Sequence, residues 1–383
     1  MRIIPILKNT QRGKALYVCL ILLCMNLTAQ MKTVDFAGQF SKEQSFTLSE
    51  MATNVEYIKL EVVKESLIGE ISQIEITKSY VFILSRGQVY MFSRDGKYIR
   101  KIGTAGRGPG EYVFAFSFGV NEQKKEIYIQ ASHNGKIMKF SFDGKNTDNI
   151  SFHAGECFHT SNHSIGVANL ETAFFEEWNG VRVQILDLNT KKETKIVYPN
   201  FKSDAPLFPS NFSYRYNDEI FTQIVNNDTV FKIKDNKFIP QYVFNMGQYR
   251  RKNLSFMQRD NNYMISTRTV KETKNYLFVN YTRHSNGSRN KAIYNKNAEI
   301  LHTVKGNLLI NDFDGGLDIW PDYTVGNNTL VACLDIFDVL EKLDNRHFSN
   351  SKAKDAQKKS ELINFVNTLT ENENPIIMLI HLK

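Results

Sequence analysis

The chain has 383 residues, 42% hydrophobic, 12% aromatic and 23% charged, a globular composition that excludes disordered, collagenous and coiled-coil chains. Its formal net charge is +8, but four of its 48 basic residues (Arg2, Lys8, Arg12 and Lys14) lie within residues 1–29, which hold no acid. Without that segment the charge falls to about +4, with no Lys/Arg run of five or more, which is too weak a field for electrostatic nucleic-acid binding.

Residues 1–29 read as an export signal. A basic stretch ends at Lys14, an apolar run follows from Ala15 to Met25, and small Ala29 stands at the cleavage position. The run is about eleven residues, too short to span a hydrocarbon core of ~30 Å, and no other stretch is longer. No transmembrane span is therefore expected in the mature chain, and its place is the periplasm or cell envelope. Leu23 and Val18 precede Cys24 and Cys19, where lipid attachment needs a small residue, so a lipoprotein is the lesser reading. Cys157 and Cys333 remain after cleavage; whether they pair stays open, and two cysteines make no disulfide framework.

After a lead-in over 30–54, short β-type runs follow one another from Val55. Residues 55–62 alternate polar and apolar, as a half-buried strand does. The runs 71–76, 80–84, 88–92 and 98–102 form one antiparallel meander, with Asp95-Gly96 as the turn between its last two strands. The order returns at 126–130 and 136–142 before Asp143-Gly144, at 181–188, at 229–233 before Asp235-Asn236, and at 276–281 with 291–297. A last copy takes in Gly316–Trp320, 329–334 and 376–382.

A period of roughly 45–50 residues built from four strands predicts an all-β fold, a β-propeller. Six blades fit the count; five and seven also fit. The run 55–62 has no meander of its own, so it is expected to complete a sheet supplied by the C-terminus, giving a propeller over 55–383. Two segments break the rhythm. Tyr249–Val270 is polar and reads as a loop or a short helix, and 336–370 has apolar residues at helical spacing, a helical insertion in the last blade.

Asp95-Gly96-Lys97, Arg100-Lys101-Ile102-Gly103 and Gly106–Tyr112 resemble the blade junction of bacterial exported six-bladed propellers of the NHL-like type. Residues 56–61, 66–69, 311–316, Trp320-Pro321 and 372–379 resemble one exported subfamily of these. The resemblance implies the fold over nearly the whole mature chain and no agreed activity. Many members are lipoproteins, a pattern from which Leu23 before Cys24 departs.

Several motifs carry candidate chemistry. Gly103, Gly106, Gly108 and Gly110 are followed by β-type sequence where a dinucleotide loop would open a helix, so they read as a tight connection from which Arg107, Glu111 and Tyr112 could reach a ligand. His153, Cys157, His159 and His163 crowd a polar segment without a familiar zinc spacing, and read mainly as an inter-blade loop. Asp312, Asp314 and Asp318, in a cluster with Asn311 and Asp322, are candidate ligand-binding residues and weak candidate metal ligands; calcium suits alternating oxygens, but the loop lacks the EF-hand's glycine and closing glutamate. Trp320 beside them and Trp178 beside Glu176 and Glu177 offer flat apolar faces on which a sugar ring or a partner side chain could stack.

No catalytic grouping is assignable. The reading is an exported, non-catalytic propeller, with no required cofactor, that binds a glycan, a peptide or an envelope protein on one face of the ring. The alternative is a metal-dependent hydrolase or lactonase-like enzyme whose site occupies the central channel.

Overall fold

The computed structural model describes residues 31–39, 42–131, 136–151, 157–160, 164–168, 181–197, 212–223, 227–249, 265–283, 287–343, 348 and 353–383. The export signal expected over 1–29, Trp178, His153 and His163 lie outside them. Among the described residues no helix is long and apolar enough to cross a membrane.

The fold is an all-β propeller. The described strands form four four-stranded sheets, two five-stranded sheets and a two-stranded ribbon. In chain order the first sheet is Ile71–Ile76, Tyr80–Ser85, Gln88–Ser93 and Tyr98–Ile102, a plain antiparallel meander. The second runs from Ala115–Asn121 to Asn146–Ser151, the third from Cys157–Thr160 to Glu193–Val197, the fourth from Ser213–Tyr216 to Lys237–Asn245, and the fifth from Ile265–Glu272 to Ile300–Val304. The sixth combines Tyr323–Val325, Thr329–Leu334 and Ile376–Leu382 with Ala52–Ile58. The first strand of each sheet packs on the first strand of the next, and Tyr323–Val325 returns to Ile71–Ile76, so these strands encircle one axis.

Side-chain alternation explains why the second strands read as unbroken apolar runs. Along Tyr80–Ser85, Val81 and Ile83 pack toward the sixth sheet while Phe82 and Leu84 pack toward the second. Both faces are buried, so a period-2 pattern carries no polar half. The core is accordingly distributed between neighbouring sheets and does not fill the axis.

The hairpin turns follow from local chemistry. Gly96 and Gly144 hold φ of +90° and +85°, and in each turn a serine two residues before the aspartate (Ser93, Ser141) bonds the aspartate side chain and closes the turn. Gly96 has no room for a side chain, since a Cβ there would lie 2.0 Å from the Lys59 carbonyl oxygen. Asp235 and Asn236 take φ of +49° and +58°, the left-handed pair of a two-residue hairpin turn.

The N-terminal lead-in does more than approach the ring. Lys32–Asp35 adds a parallel outer strand to the fourth sheet, and Glu43–Gln44 adds one to the fifth. Ala52–Ile58 then lies antiparallel to Ile376–Leu382, so the closing strand begins earlier than the 55–62 run suggested. Three further expectations need correction. Gly316–Trp320 is a loop, and the short strand of that sheet is Tyr323–Val325. Ile265–Val270 belongs to the innermost strand of the fifth sheet, where a loop or helix was expected. Cys157–Thr160 is a strand, not an inter-blade loop, while Cys333 is a free thiol.

Between Leu334 and Ile376 the chain leaves the sixth sheet, and the described residues there include the helices α1 (Ile336–Leu343) and α2 (Ala356–Val366). Asp355 caps α2 by accepting from the Lys358 amide at 2.9 Å. Ile336, Val339, Leu343 and Leu362 turn inward and join the core between the fifth and sixth sheets.

Candidate functional site

The glycine-rich connection between the first and second sheets builds itself from the inside. Thr104–Ala105 and Glu111–Tyr112 form a small parallel ribbon, and Glu111 accepts from the Gly108 amide at 2.8 Å. Tyr112 is a core residue at 2% exposure: its hydroxyl donates to the Ile102 carbonyl at 2.7 Å and accepts from the Val89 amide at 3.2 Å. Tyr112 is thereby removed as a ligand candidate and Glu111 is occupied by its own loop, whereas Arg107 stays exposed. Beside them Phe114 and Phe116 stand 42% and 59% exposed, with ring centroids 5.4 Å apart.

A large opening lies elsewhere. A cleft of about 1170 Å³ runs between the fifth and sixth sheets, along the connection 305–322 and beside α1. Asp312, Asp318 and Trp320 line it together with Asp322, Asp335 and Lys291. Asp314 faces away into the interior at 1% exposure, where it accepts from the Tyr57 hydroxyl at 2.9 Å and the Gly316 amide at 2.9 Å.

The carboxylates of this connection are held by the protein's own donors. Asp312 accepts from the Ser49 amide at 2.9 Å and the Ser49 hydroxyl at 2.6 Å, and Asp318 accepts from the Asn311 amide at 2.9 Å. Asp322 accepts from the Cys333 amide at 2.8 Å. Asp312, Asp314 and Asp318 therefore hold three different parts of the chain, and among the described residues no three acidic, histidine or cysteine side chains converge as a metal site would require.

Trp320 is not the open platform that its sequence neighbourhood suggested. It is 9% exposed and meets Phe278 edge-on at 5.7 Å. Its indole N–H donates to Asn280 at 2.6 Å, and the Lys291 ammonium stands 5.4 Å over its ring and donates to the same Asn280 oxygen at 3.2 Å. Burial lowers the Lys291 pKa, Asp322 opposing this and Arg289 adding to it. Burial brings nearby Lys271 down to about 8, again with Asp322 opposing and Lys291 adding. The same burial pushes the Cys333 thiol up, and Asp322 pushes it further, so it is a poor nucleophile.

Lys291, Asn280, Asp335, Asp338 and Glu341 escaped the sequence reading. The i, i+3, i+6 spacing of the last three, at the start of α1 and along it, was the available signal; nothing local joins Lys291 and Asn280 to a tryptophan about thirty to forty residues on. A second, smaller hollow of about 450 Å³ lies between α2 and the strand Ala52–Ile58, lined by Tyr57, Asp314, Arg94 and Phe365.

At the axis, Arg215 of the fourth sheet's first strand reaches Glu75 of the first sheet's first strand at 3.6 Å. These strands are three steps apart in either direction around the ring.

No curated protein matches this sequence. The fold is similar to the crystal structure of a putative exported protein of Bacteroides fragilis, at 17% identity and a TM-score of 0.66, covering 92% of this chain and all of that one. It is also similar to a member of the DUF4221 family from Bacteroides vulgatus, at 12% identity and a TM-score of 0.52, covering 87% of this chain and 97% of that one. Part of the extracellular domain of a putative hybrid two-component system of B. thetaiotaomicron overlaps 65% of this chain at 11% identity and a TM-score of 0.41, with 32% of that chain covered. A family profile described as a domain of unknown function, DUF4934, matches residues 31–381, and the chain belongs to that family.

Proposed function

We propose that this protein is an exported, non-catalytic propeller of six blades, of the NHL-like type, that holds a partner in the periplasm or cell envelope through the cleft between its fifth and sixth sheets. The observation that carries the reading is the cleft itself: about 1170 Å³, with Leu308 and Ile310 on its lining left 42% and 40% exposed. Apolar side chains set beside an opening give a partner surface to cover. The six-blade count is supported by the unbroken circuit of first strands, and the address by the residues of the N-terminal leader and by neighbours named as exported or extracellular proteins.

Against the hydrolase alternative stands the composition of the axis. A channel-centred metal enzyme needs several carboxylates converging there, whereas Glu75 meets an arginine.

Hydrogen exchange on the mature chain, alone and with panels of envelope glycans and synthetic peptides, tests the binding role. Protection of 305–322 and α1 by a panel member, abolished by Leu308→Asp with Ile310→Asp, is the expected result. Protection confined to other blades removes the cleft, and chelator-sensitive ester or lactone hydrolysis lost in Glu75→Gln reinstates the enzyme.

A further inference from the structure

We infer that the cleft takes an extended, cationic peptide segment of a partner protein. This rests on the binding role proposed above and names its occupant.

Charge points first to this class. Asp318, Asp322, Asp335, Asp338 and Glu341 line the cleft and are all exposed. None of them shares an ion pair with a described residue. Only Lys291 and Lys342 oppose them among the lining residues. The chain as a whole is basic, so the cleft reverses the sign of the molecule around it. That contrast is what steers a cation to one place on a surface.

Apolar surface supplies the second observation. Leu308 and Ile310, at alternate positions of the connection and 42% and 40% exposed on the cleft lining, offer apolar contacts to alternate side chains of an extended strand.

Rival occupants fit less well. The volume exceeds the roughly 300–1,000 Å³ usual for small-molecule sites. A sugar would want the Trp320 face, which Lys291 already covers. A metal would want carboxylates that converge, and Asp312, Asp318 and Asp322 each cap a different backbone segment.

The test is fluorescence anisotropy of three labelled nonapeptides on the mature protein: alternating Lys/Leu, alternating Glu/Leu, and Lys/Ser. The triple variant Asp335→Asn, Asp338→Asn, Glu341→Gln removes exposed charge and leaves the apolar face of α1 intact; its melting curve is compared with wild type. The Lys/Leu peptide is expected to bind best, to weaken roughly tenfold in the triple variant, as three exposed ion pairs imply, and to weaken again on raising salt from about 0.05 to 0.5 M. Equal binding of the acidic and basic peptides, or unchanged binding to a folded triple variant, overturns the inference. Glycan binding lost in the Leu308→Asp/Ile310→Asp variant, with no response to any peptide, overturns it while leaving the binding role in place. Self-association abolished by the triple variant overturns it in favour of a second copy of this chain. A cleft that responds to neither peptide nor glycan defeats both readings together.

Discussion

Glu75 and Arg215 meet across the axis of the propeller, 3.6 Å apart, from the innermost strands of the first and fourth sheets. The pair bridges two elements that share no strand pairing, and it sets an ion pair where a channel site would otherwise open. Both side chains keep about 30% of their surface accessible, 29% for Glu75 and 31% for Arg215, although protein surrounds them. Loss of hydration raises the Glu75 pKa above its usual value, and Arg215 pulls it partly back.

The sign of a pH effect follows. A carboxyl whose folded-state pKa is raised favours the folded state in acid, and that contribution is lost as pH rises through the raised value. Glu75→Gln should therefore gain stability relative to wild type as pH climbs from about 4 to 7, the range above the unfolded carboxyl pKa. Arg215→Met should lose stability over the same range. Urea unfolding of both singles and the double at several pH values checks this; a coupling energy below about 0.5 kcal/mol would show that the two do not act as a pair.

Asn374 clamps the connection between the sixth and first sheets. At 4% exposure its carbonyl accepts from the Ile68 amide at 2.8 Å, and its amide donates to the carbonyls of Glu61 at 3.1 Å and Ser66 at 2.8 Å. Asn374→Ala should destabilise by about 3 kcal/mol, near 1 kcal/mol per hydrogen bond. A shift in the urea midpoint at unchanged slope is the expected readout.

Glu272 anchors the buried junction of the fourth and fifth sheets. At 2% exposure it accepts from the hydroxyls of Tyr214 at 2.8 Å and Tyr242 at 2.7 Å and from the Lys296 ammonium at 2.7 Å. Glu272→Leu strands three donors, one of them the Lys296 ammonium, and should destabilise by about 3–5 kcal/mol. Glu272→Gln, which keeps an acceptor, should lose less. Thermal melts of the two variants side by side separate the outcomes.

Two glycines with positive φ should respond differently to alanine. Gly96 at +90° faces the Lys59 carbonyl, whereas Gly326 at +58° has nothing within 4 Å of the added carbon. Gly326→Ala should forfeit only about 1 kcal/mol for its backbone conformation. Gly96→Ala should exceed that several-fold, because backbone must shift at the seam between the sixth and first sheets. Equal melting points for the two variants would contradict this account.

The middle strands of each sheet were readable because both of their faces are buried, which leaves runs such as Val81–Leu84 wholly apolar. The Asp-Gly turns were readable because their backbone demands glycine. Apart from Ile71–Ile76, the innermost strands were not, because their polar residues are satisfied by side chains of other sheets. Gln73 accepts from the Ser117 hydroxyl at 2.8 Å, and Thr267 donates to Gln223 at 2.7 Å, partners more than forty residues apart. The candidate site was half legible. Asp312, Asp318 and Trp320 do line the cleft, but Asp314 turns inward to Tyr57 and Trp320 is taken by Phe278, Asn280 and Lys291. Spacing within a loop gives residue order, while direction depends on elements far away in the chain.

The pairing of Ala52–Ile58 with Ile376–Leu382 has a temporal consequence. The first β-segment of the closing sheet emerges some 320 residues before its mate, so until the last strand is delivered the seam stays open and an apolar flank waits uncovered. Contacts of such sequence separation form slowly. A ring of this design is complete only once its tail has been made, and Ala52–Ile58 must keep its pairing edge free until then.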